Sequence, residues 1–185
     1  NVVRVTLTPG VRVDLESLRR NLYASSSCGI CGKATIESAI ANAPPLDDPS
    51  RFGPAYFGSL PDHLRSAQRA FSATGGLHAA GLFDASGELL VVREDIGRHN
   101  AVDKVVGWSA ENGRLPLSGH VLLVSGRISY EIAQKALAAR IPVVAAVSAP
   151  SSLAVELATE ARMTLVGFLR GGEFNVYGDR QRISA

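Results

Sequence analysis

With 185 residues, 46% of them hydrophobic, the chain is long enough for one substantial core or a compact domain with a small appendage. A formal net charge of +2 excludes bulk attraction to nucleic acid, so any anion site has to be built from local arginines. Two cysteines exclude a disulfide-built scaffold and favour a reducing, cytoplasmic setting, and no apolar run approaches the roughly 18 residues that a membrane-spanning helix needs.

Asn1-Val-Val-Arg-Val5 opens in strand-like sequence without an initiator Met, which raises the expectation that the N-terminal part of a longer protein is absent. Val2 to Thr8 reads as a strand stopped by Pro9-Gly10, and Asp14 as the N-cap of a helix over Leu15 to Tyr23. Ser25-Ser-Ser27 breaks that helix and leads into Cys28-Gly-Ile-Cys31, which holds both cysteines of the chain. A short helix over Lys33 to Ile40 follows, then an irregular connection through Pro44-Pro45 to Gly58 and a helix from Ser59 to about Phe71.

Beyond residue 74 the pattern sharpens. Leu77 to Phe83 and Glu88 to Val92 are apolar runs joined by Asp84-Ala-Ser-Gly87, a hairpin signal. A helix from His99 to Glu111 precedes Val121 to Val124, a helix from Ser129 to Arg140, Val143 to Val147, a helix from Ser151 to Arg162, and Thr164 to Leu169. Short, continuously apolar strands alternating with amphipathic helices require a parallel sheet covered on both faces. The predicted fold is therefore α/β, three layers with a mixed sheet. The expected division is a remnant of a smaller domain over 1–30, leading into a mobile cysteine loop, and the α/β domain over 31–185.

In such sheets ligands sit beyond the carboxyl ends of the strands, where helix N-termini present unpaired N–H groups. The segments predicted there are Arg93 to Asn100, Ser125-Gly126-Arg127, Ser148 to Ser152, and Arg170-Gly-Gly-Glu173. Glycine admits a ligand close to the backbone, serine offers a hydroxyl, and arginine grips phosphate oxygens in a bidentate fork. A phosphate-bearing ligand follows if the loops converge; ordinary helix capping explains any one of them alone.

The cysteine pair has three possible uses and one bland reading, two incidental thiols. A dithiol redox pair normally opens a long helix after a strand, whereas this one follows a helix. A zinc site needs two more ligands from His63, His78, His99, His120 or carboxylates, and no close histidine pair or second Cys-x-x-Cys supplies them. A nucleophile that carries sulfane sulfur needs an exposed, mobile, partly ionised thiol, which the flanking glycines, Lys33 and the next helix N-terminus favour. His78 is a hydrogen-bonded structural histidine or a ligand contact; His99 and Asn100 cap a helix or face a heterocycle. Trp108 reads as packing, and Asp103 and Lys104, adjacent in a helix, point in different directions.

The segments Cys-Gly-Ile-Cys-Gly-Lys33, Thr74-Gly-Gly-Leu-His78, Arg93-Glu-Asp-Ile-Gly-Arg-His-Asn-Ala-Val-Asp-Lys104, Leu123-Val-Ser-Gly-Arg127 and Gly167-Phe-Leu-Arg-Gly-Gly-Glu-Phe-Asn175 together resemble the accessory sulfurtransferases required for formate dehydrogenase, the FdhD family. The resemblance implies a cytidine deaminase-like fold, a homodimer, and a sulfur relay from a cysteine desulfurase to a molybdenum or tungsten bis(guanine dinucleotide) cofactor destined for formate dehydrogenase. Cys28 becomes the expected persulfide carrier and Cys31 a second relay or resolving thiol. The cofactor, molybdenum bis(molybdopterin guanine dinucleotide), enters as bound substrate, with GDP as a partial mimic. Its expected cleft joins His78, Asp95, Arg98, His99, Asn100, Ser125, Gly126 and Arg127 to Phe168, Leu169, Arg170, Gly171, Gly172 and Glu173, with Asp95 or Glu173 accepting from a guanine edge. The alternatives are a cofactor chaperone without chemistry and a zinc deaminase. The latter wants His-x-Glu before Pro-Cys-x-x-Cys, whereas His78 is followed by two alanines and the cysteines come first, so no zinc is expected.

Overall fold

The computed structural model describes residues 43–184 together with 6, 8–11 and 40. The strand expected over 2–8, the helix over 15–23, the cysteine loop and most of the helix over 33–40 lie outside the described residues. Two compact units divide the chain at Lys33/Ala34, and every element named below belongs to the second.

Six strands form one mixed sheet: β1 (His78–Phe83), β2 (Leu89–Asp95), β3 (Val121–Val124), β4 (Val143–Ala146), β5 (Thr164–Arg170) and β6 (Glu173–Gly178), in spatial order β2-β1-β3-β4-β5-β6. β3, β4 and β5 run parallel, while β1 lies antiparallel to both its neighbours and β6 antiparallel to β5. The carboxyl ends of β2 through β5, except antiparallel β1, therefore share one end of the sheet with the start of β1 and the start of β6.

Period-two alternation sends each strand's side chains to two different cores. Ala80, Leu82, Leu122, Val124, Val144, Ala146 and Leu165 face the layer made by helices α4 (Arg98–Glu111), α5 (Tyr130–Ala138) and α6 (Ser152–Glu160). Ala79, Phe83, Val121, Leu123, Val143, Ala145 and Val166 face Phe52, Phe57, Leu60 and Leu64, the last three carried on α1 (Pro54–Gly58) and α2 (Leu60–Ala67). The continuous apolar runs thus mark strands buried on both faces, and the three-layer expectation holds. Packing seats the helices: burying Ile132 or Leu137 of α5 contributes roughly 1.5–3 kcal/mol each. The Lys135–Asp103 pair that links α5 to α4, at 2.6 Å but half exposed, is worth under about 1 kcal/mol.

Four segments depart from expectation. The helix predicted from Ser59 to Phe71 is two helices, α2 and α3 (Arg69–Thr74), broken at Gln68, and Pro54–Gly58 is helical rather than irregular. The break is stabilised from afar, because the Glu94 carboxylate accepts from the backbone N–H groups of Ala70 and Phe71 at 2.9 and 2.7 Å, supplying partners for a new helix start. β2 runs on through Arg93-Glu-Asp95, pairing with Ala80, Ala79 and His78, where a loop was expected. Arg170 to Glu173 is a tight hairpin leading into β6, a strand that the sequence reading missed. Gly171 and Gly172 take φ of +58° and +84°, as a two-residue turn of positive φ requires.

Candidate functional site at the carboxyl end of the sheet

Four connections meet at one end of the sheet: 96–97 after β2, 125–129 after β3, 147–151 after β4, and the end of β5 with its hairpin. They are stitched to one another in order. His99 at the start of α4 reaches Ser129 at the start of α5, with Nε2 2.8 Å from Oγ. Ile128 donates its N–H to Ala149 O and Ser151 returns one to Ile128 O, an isolated parallel bridge. Phe168 then donates to Ser148 O at 3.1 Å, and Arg170 Nε to Val147 O at 3.3 Å. From the β2 column to the β5 column is four interstrand steps, roughly 19 Å at about 4.8 Å each. That width suits an extended ligand rather than a single small anion.

Asp95 builds the first corner. Its carboxylate accepts from Gly97 N at 2.8 Å, Asn100 Nδ2 at 3.1 Å and Lys104 Nζ at 2.6 Å. Those bonds, led by the one from Lys104, hold its pKa down at about 2. Asp95 and Asn100 therefore organise the entry into α4, and Glu173, exposed at the hairpin, is the carboxylate of the expected pair left facing solvent. Lys104 belongs to Asp95 and Asp103 to Lys135, so these two neighbours do point apart.

The middle of the site is a contact among three residues distant in sequence. A Cβ placed on Gly126 would meet His78 Nδ1 at 3.4 Å and Arg98 Cδ at 3.6 Å, so the histidine ring and the arginine stem flank a bare backbone position. Ser125 fixes the same spot, its Oγ accepting from Ala79 N at 2.8 Å and its N–H donating to Ala79 O at 2.9 Å. Arg127, one residue further, is exposed.

Phe168 forms the far side. It combines a left-handed φ of +58° with 43% exposure, at the bulge where the β5–β6 register shifts between Gly167 and Arg170. A bulky residue held in that region costs about 1–2 kcal/mol, and such strain concentrates at working surfaces. Leu169, its neighbour, is buried in the core on the α1–α2 face, so the strand twists Phe168 outward while anchoring the next side chain. Arg170 is exposed beside the hairpin glycines.

His99 is partly buried, with 26% side-chain exposure, and its Nε2 also lies 3.0 Å from Glu131 Oε2. Burial holds its pKa below the ordinary histidine value, against the opposite pull of Glu131. Glu131 is a member of this cluster that sequence reasoning missed; its place in the first turn of α5 was the available signal. The histidines do not gather: His120 precedes β3 at the opposite end of the sheet from His78, and among the described residues no three His, Cys, Asp or Glu side chains group as a metal site. Cys28 and Cys31 lie outside the described residues.

A family model described as the FdhD/NarQ family matches residues 2–184. The chain belongs to the FdhD/NarQ family. It is 58% identical over its whole length to a protein from Streptomyces avermitilis named sulfur carrier protein FdhD, of which it covers 66%. A protein of the same name from Sulfolobus acidocaldarius is 47% identical over 99% of the chain, which covers 69% of that relative. The chain thus spans about two thirds of the length of these family members. Among solved structures, a crystal structure described as a formate dehydrogenase accessory protein from Desulfotalea psychrophila aligns with a TM-score of 0.70 and 32% identity, covering 80% of this chain and 62% of that one. The mixed α/β sheet is accordingly a family fold. No helix among the described residues is long and apolar enough to cross a membrane.

Proposed function

We propose that this FdhD/NarQ family chain carries sulfur for the maturation of formate dehydrogenase, a reading supported by relatives named sulfur carrier protein and by the similar structure described as a formate dehydrogenase accessory protein. Cys28 accepts sulfane sulfur from a cysteine desulfurase as a persulfide, with Cys31 as the second thiol. The strand-end cleft receives the acceptor as cargo, a molybdenum or tungsten bis(guanine dinucleotide) cofactor, and the protein works in the cytoplasm as a homodimer.

The observation that carries this reading is the meeting of His78, Arg98 and Gly126 midway along a row of stitched loops that has exposed arginines at 127 and 170. A phosphate chain laid along that row meets guanidinium forks and helix N-termini, and the bare Gly126 lets it approach the backbone. Phe168, turned outward, offers a face to a heterocyclic base. The pterin metal centre supplies the sulfur-accepting chemistry when it is bound; the chain's residues hold and orient the dinucleotide arms.

Two measurements test the two halves separately. Incubation with a cysteine desulfurase and cysteine, followed by intact mass, is expected to add about 32 mass units to wild type and nothing to Cys28→Ala. No adduct on wild type removes the relay and leaves a cofactor holder. Titration with GDP tests the cleft, and absence of binding removes it.

A further inference from the structure

We propose that His99 is a positioning residue for the anion cleft: its Nε2–H, shared between Ser129 Oγ and the Glu131 carboxylate, fixes the start of α4 against the start of α5. This role rests on the reading of the edge as an anion site and gives His99 a task other than touching the ligand.

The contacts select one protonation pattern. Glu131 Oε2 is 3.0 Å from Nε2, and a carboxylate oxygen at that distance needs a proton on the ring nitrogen rather than a lone pair. Ser129 Oγ, 2.8 Å from the same nitrogen, then accepts from it while also capping the helix through Ile132 N at 3.4 Å. Ser129 is itself 5% exposed, so without the imidazole its oxygen loses a partner in a dry place. The groups acting on the ring are Glu131 and Asp103, which favour the cation, and Arg98 and Lys135, which oppose it along with burial. The neutral form with the proton on Nε2 keeps both bonds without placing a buried cation beside Arg98.

The geometry places this bond where it controls the cleft. Arg98 directly precedes His99 on α4, and Arg127 stands two residues before Ser129. The Arg98 stem also lies against Gly126, within 3.6 Å of where a Cβ would stand. Asp103 and Lys135, each four residues further along its helix, form a second rung at 2.6 Å, so the two helices run side by side from the site. Apolar packing seats the two helices, and that lower rung is solvated and weak, so the His99 contact is the polar link that orients the helix starts next to the two arginines.

The test uses the full chain with ¹⁵N-labelled histidine, and GDP as the probe. Wild-type His99 is expected to be the neutral Nε2–H tautomer at pH 7, and Glu131→Gln to shift the population toward Nδ1–H. His99→Ala, which releases the starts of α4 and α5 from this contact, is expected to weaken GDP binding about tenfold. His99→Gln, whose amide nitrogen can donate to the same pair, is expected to recover binding to within about twofold of wild type. A wild-type Nδ1–H tautomer, equal affinity in folded His99→Ala, or no recovery in His99→Gln overturns the role while GDP binding to wild type persists. A wild type that binds no GDP overturns the anion site itself, and this role with it.

Discussion

The two ends of the sheet use arginine in opposite ways. At the end where β3, β4 and β5 begin, arginines are turned onto the chain's own backbone. Arg182 is 2% exposed and donates to Arg162 O at 2.6 Å and to Asp179 at 3.2 Å. Arg140 donates to the carbonyls of Pro44 and Pro45, and Asp48 accepts from Gly119 N at 2.9 Å. At the other end Arg127 and Arg170 are exposed among glycines, beside an aromatic residue in a strained conformation, and Arg170 spends only its Nε on the backbone, at Val147 O. One end closes the fold; the other presents charge outward, which a folded chain gains nothing from unless something binds.

Substitutions at the two ends are therefore expected to separate stability from binding. The largest effect belongs to Arg182→Ala, which takes the buried guanidinium away from Arg162 O and the partly buried Asp179 carboxylate and opens a void. It is expected to cost about 3 kcal/mol in urea unfolding while leaving GDP affinity of the folded protein unchanged. Arg170→Ala should do the reverse, weakening GDP about tenfold, with unfolding shifted by less than about 0.5 kcal/mol. A large stability loss there would erase the distinction. Phe168→Asn sharpens it, because Asn tolerates left-handed backbone. It should match or exceed wild-type stability by up to about 1 kcal/mol while binding GDP more weakly.

The smallest effect is a pH limb at the open end. Asp95 has a folded pKa of about 2 against an ordinary value of 3.8. A depressed carboxyl pKa contributes stability that is present above the unfolded value and lost as pH falls through the folded one. Wild type should therefore lose an increment of thermal stability between about pH 4 and pH 2 that Asp95→Asn lacks. Parallel acid limbs in the two proteins would show that the corner is not held by Asp95.

The strands of the sheet were legible because burial on both faces writes unbroken apolar runs, as in Val121-Leu-Leu-Val124 and Val143-Val-Ala-Ala146. Helix starts at Ser129 and Ser151 were legible because each serine caps its own helix, a local bond. The break at Gln68 was not, since it depends on the Glu94 carboxylate in β2, 23 residues beyond the Phe71 N–H that it accepts from. β6 escaped because, as an edge strand with Glu173 and Asn175 exposed, it lacks the unbroken apolar run of the central strands, although Gly171-Gly172 was a readable hairpin signal. The candidate site residues were chosen by type and position; Asp95 and Asn100, chosen for a ligand, are bonded to one another.

The sequence by itself determined β1 to β5, the three helices that alternate with them beyond residue 97, where their polar connections fall, and which family the motifs belong to, because periodicity, capping and turn chemistry act over a few residues. Only the tertiary structure decided which polar groups satisfy one another and which face outward. Pairing across the sheet sets Gly126 between His78 and Arg98, residues 48 and 28 positions away, and seats His99 against Glu131 on another helix. Such contacts depend on strand order and helix docking, which are set by burying two apolar faces of one sheet, so no local pattern encodes them.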